Sequence, residues 1–249
     1  MSDRTKILSP IRQQEPYCCA LYALAATPEP NLRVQWGKMT RKALSIKHLK
    51  KLDEDSRTKL PNEGTKIRRL LLMIQNEGLF EDDQYRAIER DVLISSGSPA
   101  KYASSMIAAS FLAILGIPTA LTQTVAAIMM RRLRASDARL YKISRFSQYQ
   151  VDDSEDIKRA LYQLRRGGPL LAVIKISKKY DKFYNTGRIY KFDPNTAVMN
   201  NNGTLMTHAL SVVSFVLEAK VPCLECQDSH GQHFGKSGFL MVDVSDRTL

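Results

Sequence analysis

The pattern of apolar and polar positions divides the chain into a helical first part and a strand-rich second part. Residues 18–26 are apolar on every side, which predicts a buried helix rather than one lying on a surface. Pro16 suits the first turn of that helix, because the amide it lacks would have no partner there. The two prolines of residues 27–30 should end it. Residues 65–77 have the spacing of an amphipathic helix closed by Gly78.

The second part of the chain consists largely of short apolar runs. An acidic cluster at residues 152–156 should cap a helix that runs to Arg166. Three later runs have the length and composition of strands, at residues 170–176, 212–216 and 239–244. Helices followed by strands indicate an α+β protein.

Between these parts lies a long segment without charge, which is bounded by Lys101 and Arg131. It is long enough to span a bilayer and has a basic flank. Hydroxyl residues dilute it, however, and residues 116–118 divide it into two shorter apolar helices. We therefore expect a buried or partner-facing helical hairpin, with a membrane span as the less favoured alternative. The predicted organisation is a helical lobe (1–101), an uncharged insertion (102–135) and a β lobe (136–249).

Charge and cysteine content narrow the class of protein. The net charge of +12 favours acidic partners such as nucleic acid or anionic membrane, but the basic runs of residues 33–69 are more simply explained as solvated helix faces. The cysteines form two close pairs rather than a disulfide framework, which indicates a reducing compartment. Cys223 and Cys226 fall on a predicted strand, where residues three apart point to opposite faces and do not suit one zinc ion. The start of the chain shows no apolar leader, so we expect an intracellular protein.

Three residue types for nucleophilic catalysis occur in order along the chain. Cys18 falls in the first turn of the buried helix, where unpaired amides and the helix dipole stabilise a thiolate. His208 stands where a strand begins, and Asp228 lies in a polar turn before the last strand. These residues can serve as nucleophile, base and orienting group. This order is typical of a cysteine peptidase.

Several motifs together resemble those of the papain-like cysteine peptidases. They lie in the family's order: Gln14 with Cys18-Cys19-Ala20-Leu21, then Gly168-Pro169-Leu170, Phe183 to Tyr190, His208-Ala209, Asp228 to Gly235, and Gly238-Phe239. The resemblance implies a helical lobe and an antiparallel β-barrel lobe with a cleft between them. It also implies hydrolysis of peptide or protein substrates, without a metal or an organic cofactor. Proteins of this family are usually lysosomal, vacuolar or secreted.

The resemblance assigns a role to each site residue. Cys18 would be the nucleophile, His208 the base, Asp228 the orienting group, and Gln14 part of the oxyanion hole. Substrate-binding residues would be Asn62, Glu63, Gly64 and Thr207. The expected activity is that of a cysteine-type endopeptidase. The alternatives are a related chain that lost activity and binds peptides or proteins and, more distantly, a basic nucleic-acid-binding protein.

Departures from the family pattern leave specific points open. The spacing from Gln14 to Cys18 is two residues shorter than usual in the family, so Gln13 and Cys19 remain alternatives. Asp228 replaces an asparagine, and a carboxylate there should favour the imidazolium form of the base. His230 replaces the tryptophan that normally shields the orienting contact. We therefore expect water to reach the contact between Asp228 and His208, and the activity to be weak.

Overall fold

A helix and a strand from opposite ends of the chain pack together at the centre of the protein. They are α1 (Cys19–Ala26) and β5 (Thr207–Glu218). The computed structural model describes residues 8–35, 43–56, 67–95, 140–144, 146–149, 153–200, 202–218 and 220–245. Helices gather on the α1 side, and a sheet containing β5 forms the other side, so the protein is α+β as predicted.

The remaining elements follow in chain order. The helical side adds α2 (Glu29–Gln35), α3 (Ile46–Ser56), α4 (Ile67–Asn76) and α5 (Asp82–Ser95), with a small pair of strands, β1 (Leu79–Phe80) and β2 (Leu140–Tyr141). The sheet side contains α6 (Ser154–Gly167), β3 (Leu170–Lys175), β4 (Ile189–Tyr190), β6 (Val221–Gln227) and β7 (Phe239–Asp243). Two short 3₁₀ turns lie at Tyr180–Lys182 and Pro194–Thr196.

Helix α1 is buried as predicted, but it begins at Cys19 rather than at Pro16, and Cys18 is its N-cap residue. Leu21 and Leu24 are each only 3% exposed, and burying one such side chain is worth about 1.5–3 kcal/mol. The hydroxyl of Thr27 donates to the Ala23 carbonyl at 2.8 Å and closes the last turn. Helix α2 is a difference from the sequence prediction, in which Pro28 and Pro30 act as helix breakers. Proline is also well tolerated in the first turn of a helix, and that is where Pro30 lies.

The five strands of the main sheet lie in the order β3-β5-β6-β7-β4. Neighbours are antiparallel except β4 and β7, which are parallel. Within the described ranges β3 and β4 form the two edges and the sheet is not closed, so the lobe predicted as a β-barrel is an open sheet. The three predicted strands are all present, as β3, β5 and β7.

The sheet and helix α6 place the second half of the candidate site. The Asp153 side chain caps α6 by accepting from the amides of Glu155 and Asp156, as the acidic cluster predicted. His208 is the second residue of β5 and lies opposite Ile174 of β3. Asp228 directly follows β6, so both side chains reach the same end of neighbouring strands.

The uncharged insertion predicted at residues 102–135 lies outside the described residues. Its role therefore stays a prediction, as do the predicted domain limits. Among the residues that the structure does describe, no helix is both long and apolar enough to cross a membrane.

Candidate active site

The thiol that meets the histidine belongs to Cys19, the first residue of α1. Its side chain packs against Ala20 and Ala23 of α1 and Ala209 of β5, and it interacts with His208. Cys18 precedes the helix and packs instead against the helical core around Leu21. Successive helical residues point about 100° apart, so only one of two adjacent cysteines can face β5. The structure thus places Cys19, the alternative, where the sequence had favoured Cys18.

The surroundings of Cys19 favour its ionised form. Burial opposes ionisation, but the hydrogen bond and charge of His208, with the backbone amides of Ala209 and Ala20, outweigh it and lower the pKa of the Cys19 thiol. The side chain remains partly exposed. A thiolate at a helix start with open access is the reactive state of cysteine.

His208 is the partner of this thiol and is almost fully buried, with 4% of its surface exposed. Its Nε2 atom lies 3.3 Å from Oδ2 of Asp228 as an ion pair, without the alignment of a regular hydrogen bond. Burial alone would lower the pKa of His208, but the contacts with Asp228 and Cys19 raise it to about 9. The imidazole therefore stays protonated at neutral pH, next to a thiol whose pKa is lowered.

Asp228 is held by donors on both of its oxygens. Oδ1 accepts the His230 amide at 2.8 Å and His230 Nδ1 at 2.6 Å, and Oδ2 accepts the Tyr180 hydroxyl. Burial would raise the pKa of Asp228, but the contacts with His208 and His230 lower it well below its usual range. The side chain has no exposed surface, so it is a fully buried carboxylate that remains charged.

Aromatic rings close this end of the site. His230 lies with its ring 4.9 Å from that of His208 and 4.7 Å from that of Phe234, and the Tyr180 ring lies 5.2 Å from His208. The expectation that water reaches the contact between Asp228 and His208 is therefore wrong. His230 and Tyr180 fill the space that the missing tryptophan was expected to leave open.

The two glutamines before the helix have different partners. Gln14 is tied to the loop after β6, since its amide donates to the Ser229 carbonyl at 2.6 Å and its Oε1 accepts the Ser229 hydroxyl at 2.5 Å. Gln13 pairs with His230 as an isolated bridge, and its side chain is exposed. Gln14 is thus held at the loop after β6 by its backbone amide and its side-chain oxygen, and Gln13 remains the alternative oxyanion donor.

The predicted substrate-binding residues are only partly described. Thr207 begins β5 beside His208 and is exposed. Asn62, Glu63 and Gly64 lie outside the described residues. Their expected contact with substrate stays a prediction.

Three side chains of the site also offer metal-binding atoms. His208, Asp228 and His230 each present one such atom, all within 4.8 Å of one another. However, His230 Nδ1 lies 2.6 Å from Oδ1 of Asp228, and His208 Nε2 lies 3.3 Å from Oδ2, so the groups already pair with one another. We interpret the group as a hydrogen-bond network.

Sequence reasoning missed Tyr180 and the donor role of His230. Tyr180 lies 48 residues before Asp228, and no spacing rule connects them. The sequence pattern identifies His230 only as a replacement for tryptophan. An aspartate side chain often accepts the backbone amide two residues ahead, and this turn brings that residue close to the carboxylate. A histidine two residues after an aspartate could therefore have indicated a hydrogen bond between the two side chains.

A thiol, an imidazole and a carboxylate thus lie together between a helix and a sheet, which is the set of groups that thiol hydrolases use. The sequence profile of the family described as "Papain family cysteine protease" matches residues 1–247. The chain therefore belongs to the papain family of cysteine proteases. No curated protein matches the sequence.

Solved structures of the same fold agree with this membership. A cysteine protease of Carica candamarcensis in complex with E-64 has a TM-score of 0.57 at 16% identity, over 96% of this chain and 85% of that chain. Bromelain from Ananas comosus with E64 has a TM-score of 0.55 at 13% identity, over 98% of this chain and 88% of that chain. The proform of the ragweed pollen allergen Amb a 11, a cysteine protease, has a TM-score of 0.58 at 15% identity, over 98% of this chain and 58% of that chain. At these identities the likeness shows the papain-like fold.

Proposed function

We propose that the protein is a cysteine-type endopeptidase that hydrolyses peptide bonds through a thioester on Cys19. The observation that carries this proposal is the pairing of Cys19 with His208. The pKa of the thiol is lowered and that of the imidazole is raised to about 9, so at neutral pH the proton resides on the imidazole. The attacking thiolate and the proton that the leaving amine needs are then present together.

The proposed reaction assigns one step to each group. The Cys19 sulfur attacks the carbonyl carbon of the scissile bond and its electron pair forms the new bond, while the carbonyl oxygen becomes an oxyanion. The His208 imidazolium donates its proton to the leaving nitrogen as the carbon–nitrogen bond breaks. Neutral His208 then removes a proton from water, whose oxygen attacks the thioester carbon. The carbon–sulfur bond breaks, which releases the acid and restores the Cys19 thiolate beside the His208 imidazolium.

Asp228 and the backbone around Cys19 support these steps. The Asp228 carboxylate lies on the Nε2 side of His208, so Nδ1 is left to exchange protons with the thiol and the leaving group. The Cys19 amide is at the first helical position, where no intrahelical acceptor exists. We assign this amide and the exposed Gln13 side chain to the oxyanion hole. Thr207 and residues 62–64 remain the proposed substrate-binding residues.

Labelling by E-64, the inhibitor present in two of the similar structures, tests the proposal. The purified chain is incubated with E-64, and the modified residue is located by peptide fragmentation and mass spectrometry. We expect stoichiometric labelling of Cys19 and matching loss of hydrolysis of a fluorogenic peptide. A folded protein that is neither labelled nor hydrolytic would contradict the proposal and favour a binding role for this fold.

A further inference from the structure

A buried tyrosine hydroxyl is directed at the carboxylate of the site. Tyr180 begins the 3₁₀ turn after β3 and is 3% exposed. Its ring packs edge-on against Tyr190 at 5.0 Å and lies 5.2 Å from Phe234. Packing on these sides fixes the direction of the hydroxyl, which donates to Oδ2 of Asp228.

The oxygen that Tyr180 contacts is the one that faces His208. Oδ2 lies 3.3 Å from His208 Nε2, whereas Oδ1 is occupied by the amide and Nδ1 of His230. Tyr180 and His208 therefore contact the same carboxylate oxygen, one by a hydrogen bond and the other as an ion pair. Within the described part of the chain, neither His230 nor a residue of the thiol side donates a hydrogen bond to Oδ2 of Asp228.

The Tyr180 hydroxyl remains a donor over the working range of such a site. Burial, followed by the charge of Asp228, raises the pKa of Tyr180 well above its usual value. A donor on Oδ2 takes up part of the negative charge that would otherwise act on the imidazolium alone. An imidazolium facing an unshared buried carboxylate would be a weaker acid and would protonate a leaving amine more slowly.

We propose that Tyr180 is a positioning residue that holds Oδ2 of Asp228 and shares its charge, so that His208 releases its proton readily to the leaving group. This inference rests on the proposed peptidase function and adds to it the residue that adjusts the acid strength of His208. Tyr180 acts through Asp228 and does not contact the reacting atoms.

The test compares Tyr180→Phe with Tyr190→Phe, which removes one hydroxyl from the neighbouring ring. The Tyr190 hydroxyl bonds to the Ser177 amide and the Lys175 carbonyl, both at 3.0 Å. The rate of Cys19 alkylation by iodoacetamide is measured against pH, with the site located by peptide fragmentation. The alkaline step of this profile reports loss of the His208 proton, because the thiolate then becomes more nucleophilic, and it does not depend on peptide hydrolysis.

We expect Tyr180→Phe to move the alkaline step upward by about half to one pH unit and to lower kcat several-fold with little change in KM. Tyr190→Phe should leave the step in place while lowering thermal stability. In an Asp228→Asn background the effect of Tyr180→Phe should disappear, since the charge that it shares is gone.

An unchanged or lowered alkaline step in Tyr180→Phe, or equal shifts in both tyrosine variants, would overturn the role of Tyr180 while leaving the peptidase proposal intact. A persisting shift in the Asp228→Asn background would also overturn it. If Cys19 of the unmodified protein titrates like an ordinary thiol, both proposals fail, because there is then no ion pair to adjust.

Discussion

The thiol side and the carboxylate side of the candidate site are built in opposite ways. On the thiol side, Cys19 is partly exposed and follows a turn in which Tyr17 has a positive φ of 62°. On the carboxylate side, Asp228 has no exposed surface and accepts from three protein donors besides its ion pair with His208. The thiol side is therefore exposed and has an unfavourable backbone conformation, whereas the carboxylate side is buried and has donors on both carboxylate oxygens.

This difference separates access from orientation. A nucleophile must be reached by substrate, so its surroundings cannot all be protein. The imidazole must keep one orientation through both proton transfers, so the group that orients it gains from burial and from several donors. His208 connects the two sides, because it meets Cys19 on one side and Asp228 on the other.

The largest effect should come from the thiol side. Cys19→Ala should lower kcat/KM at least about a thousandfold, because the covalent step is lost. Cys18→Ala is the matched control, since it removes the adjacent thiol, which packs on the helical core, and it should retain most of the activity. Hydrolysis of a fluorogenic peptide by both variants measures this. An active Cys19→Ala variant together with an inactive Cys18→Ala variant would restore Cys18 as the nucleophile, as predicted from the sequence.

On the carboxylate side, Asp228→Ala should lower kcat/KM by at least about tenfold, or about 1.4 kcal/mol of transition-state stabilisation. It should also lower the free energy of unfolding by about 3–5 kcal/mol, because a buried charge pair is broken. Kinetics and urea unfolding measure the two effects. Equal turnover by Asp228→Ala and the unmodified protein would show that orientation does not depend on this side.

The sequence was sufficient to predict the helix and strands that carry the site, but not which of their side chains face one another. The composition of α1 and the apolar run of β5 predicted both elements, and the order of the motifs indicated the family. The choice between Cys18 and Cys19 depends on how α1 is rotated against β5. A helix that is apolar all round has no stripe to reveal that rotation.

The same limit applies to the carboxylate side. The pattern identified Asp228, but Tyr180 reaches it from a 3₁₀ turn that carries no strong sequence signal. Its burial depends on packing against Tyr190 and Phe234. Such contacts between distant residues follow from the assembled fold rather than from local propensity.

A smaller effect should appear in the pH dependence. Because the pKa of His208 is raised to about 9, its charged form persists above neutral pH, and kcat/KM should fall only as pH rises through about 9. At pH 10 roughly a tenth of the plateau should remain. Asp228→Asn keeps the shape but removes the charge that stabilises the imidazolium, so the fall should begin at lower pH. A fall at the same or a higher pH in Asp228→Asn would show that the carboxylate does not raise this pKa.

The smallest effect concerns the turn before the thiol. The Cys18 amide donates to the Glu15 carbonyl at 3.2 Å, which closes a turn with Pro16 second and Tyr17 third. The third residue of such a turn with positive φ is normally glycine, and a left-handed conformation costs another residue about 1–2 kcal/mol. Tyr17 is 80% exposed, so burial of its ring does little to offset that cost.

Tyr17→Gly should therefore raise the free energy of unfolding by roughly 0.5–1 kcal/mol, which is the relief of strain less the extra entropy that glycine gives the unfolded chain. Tyr17→Ala is the matched control: it removes the same ring but keeps the unfavourable conformation, so it should be nearly neutral. Urea unfolding of the three proteins measures both changes. If alanine stabilises as much as glycine, the ring rather than the backbone is the source of the cost. If neither does, the thiol side is not strained and the contrast with the carboxylate side is reduced to exposure alone.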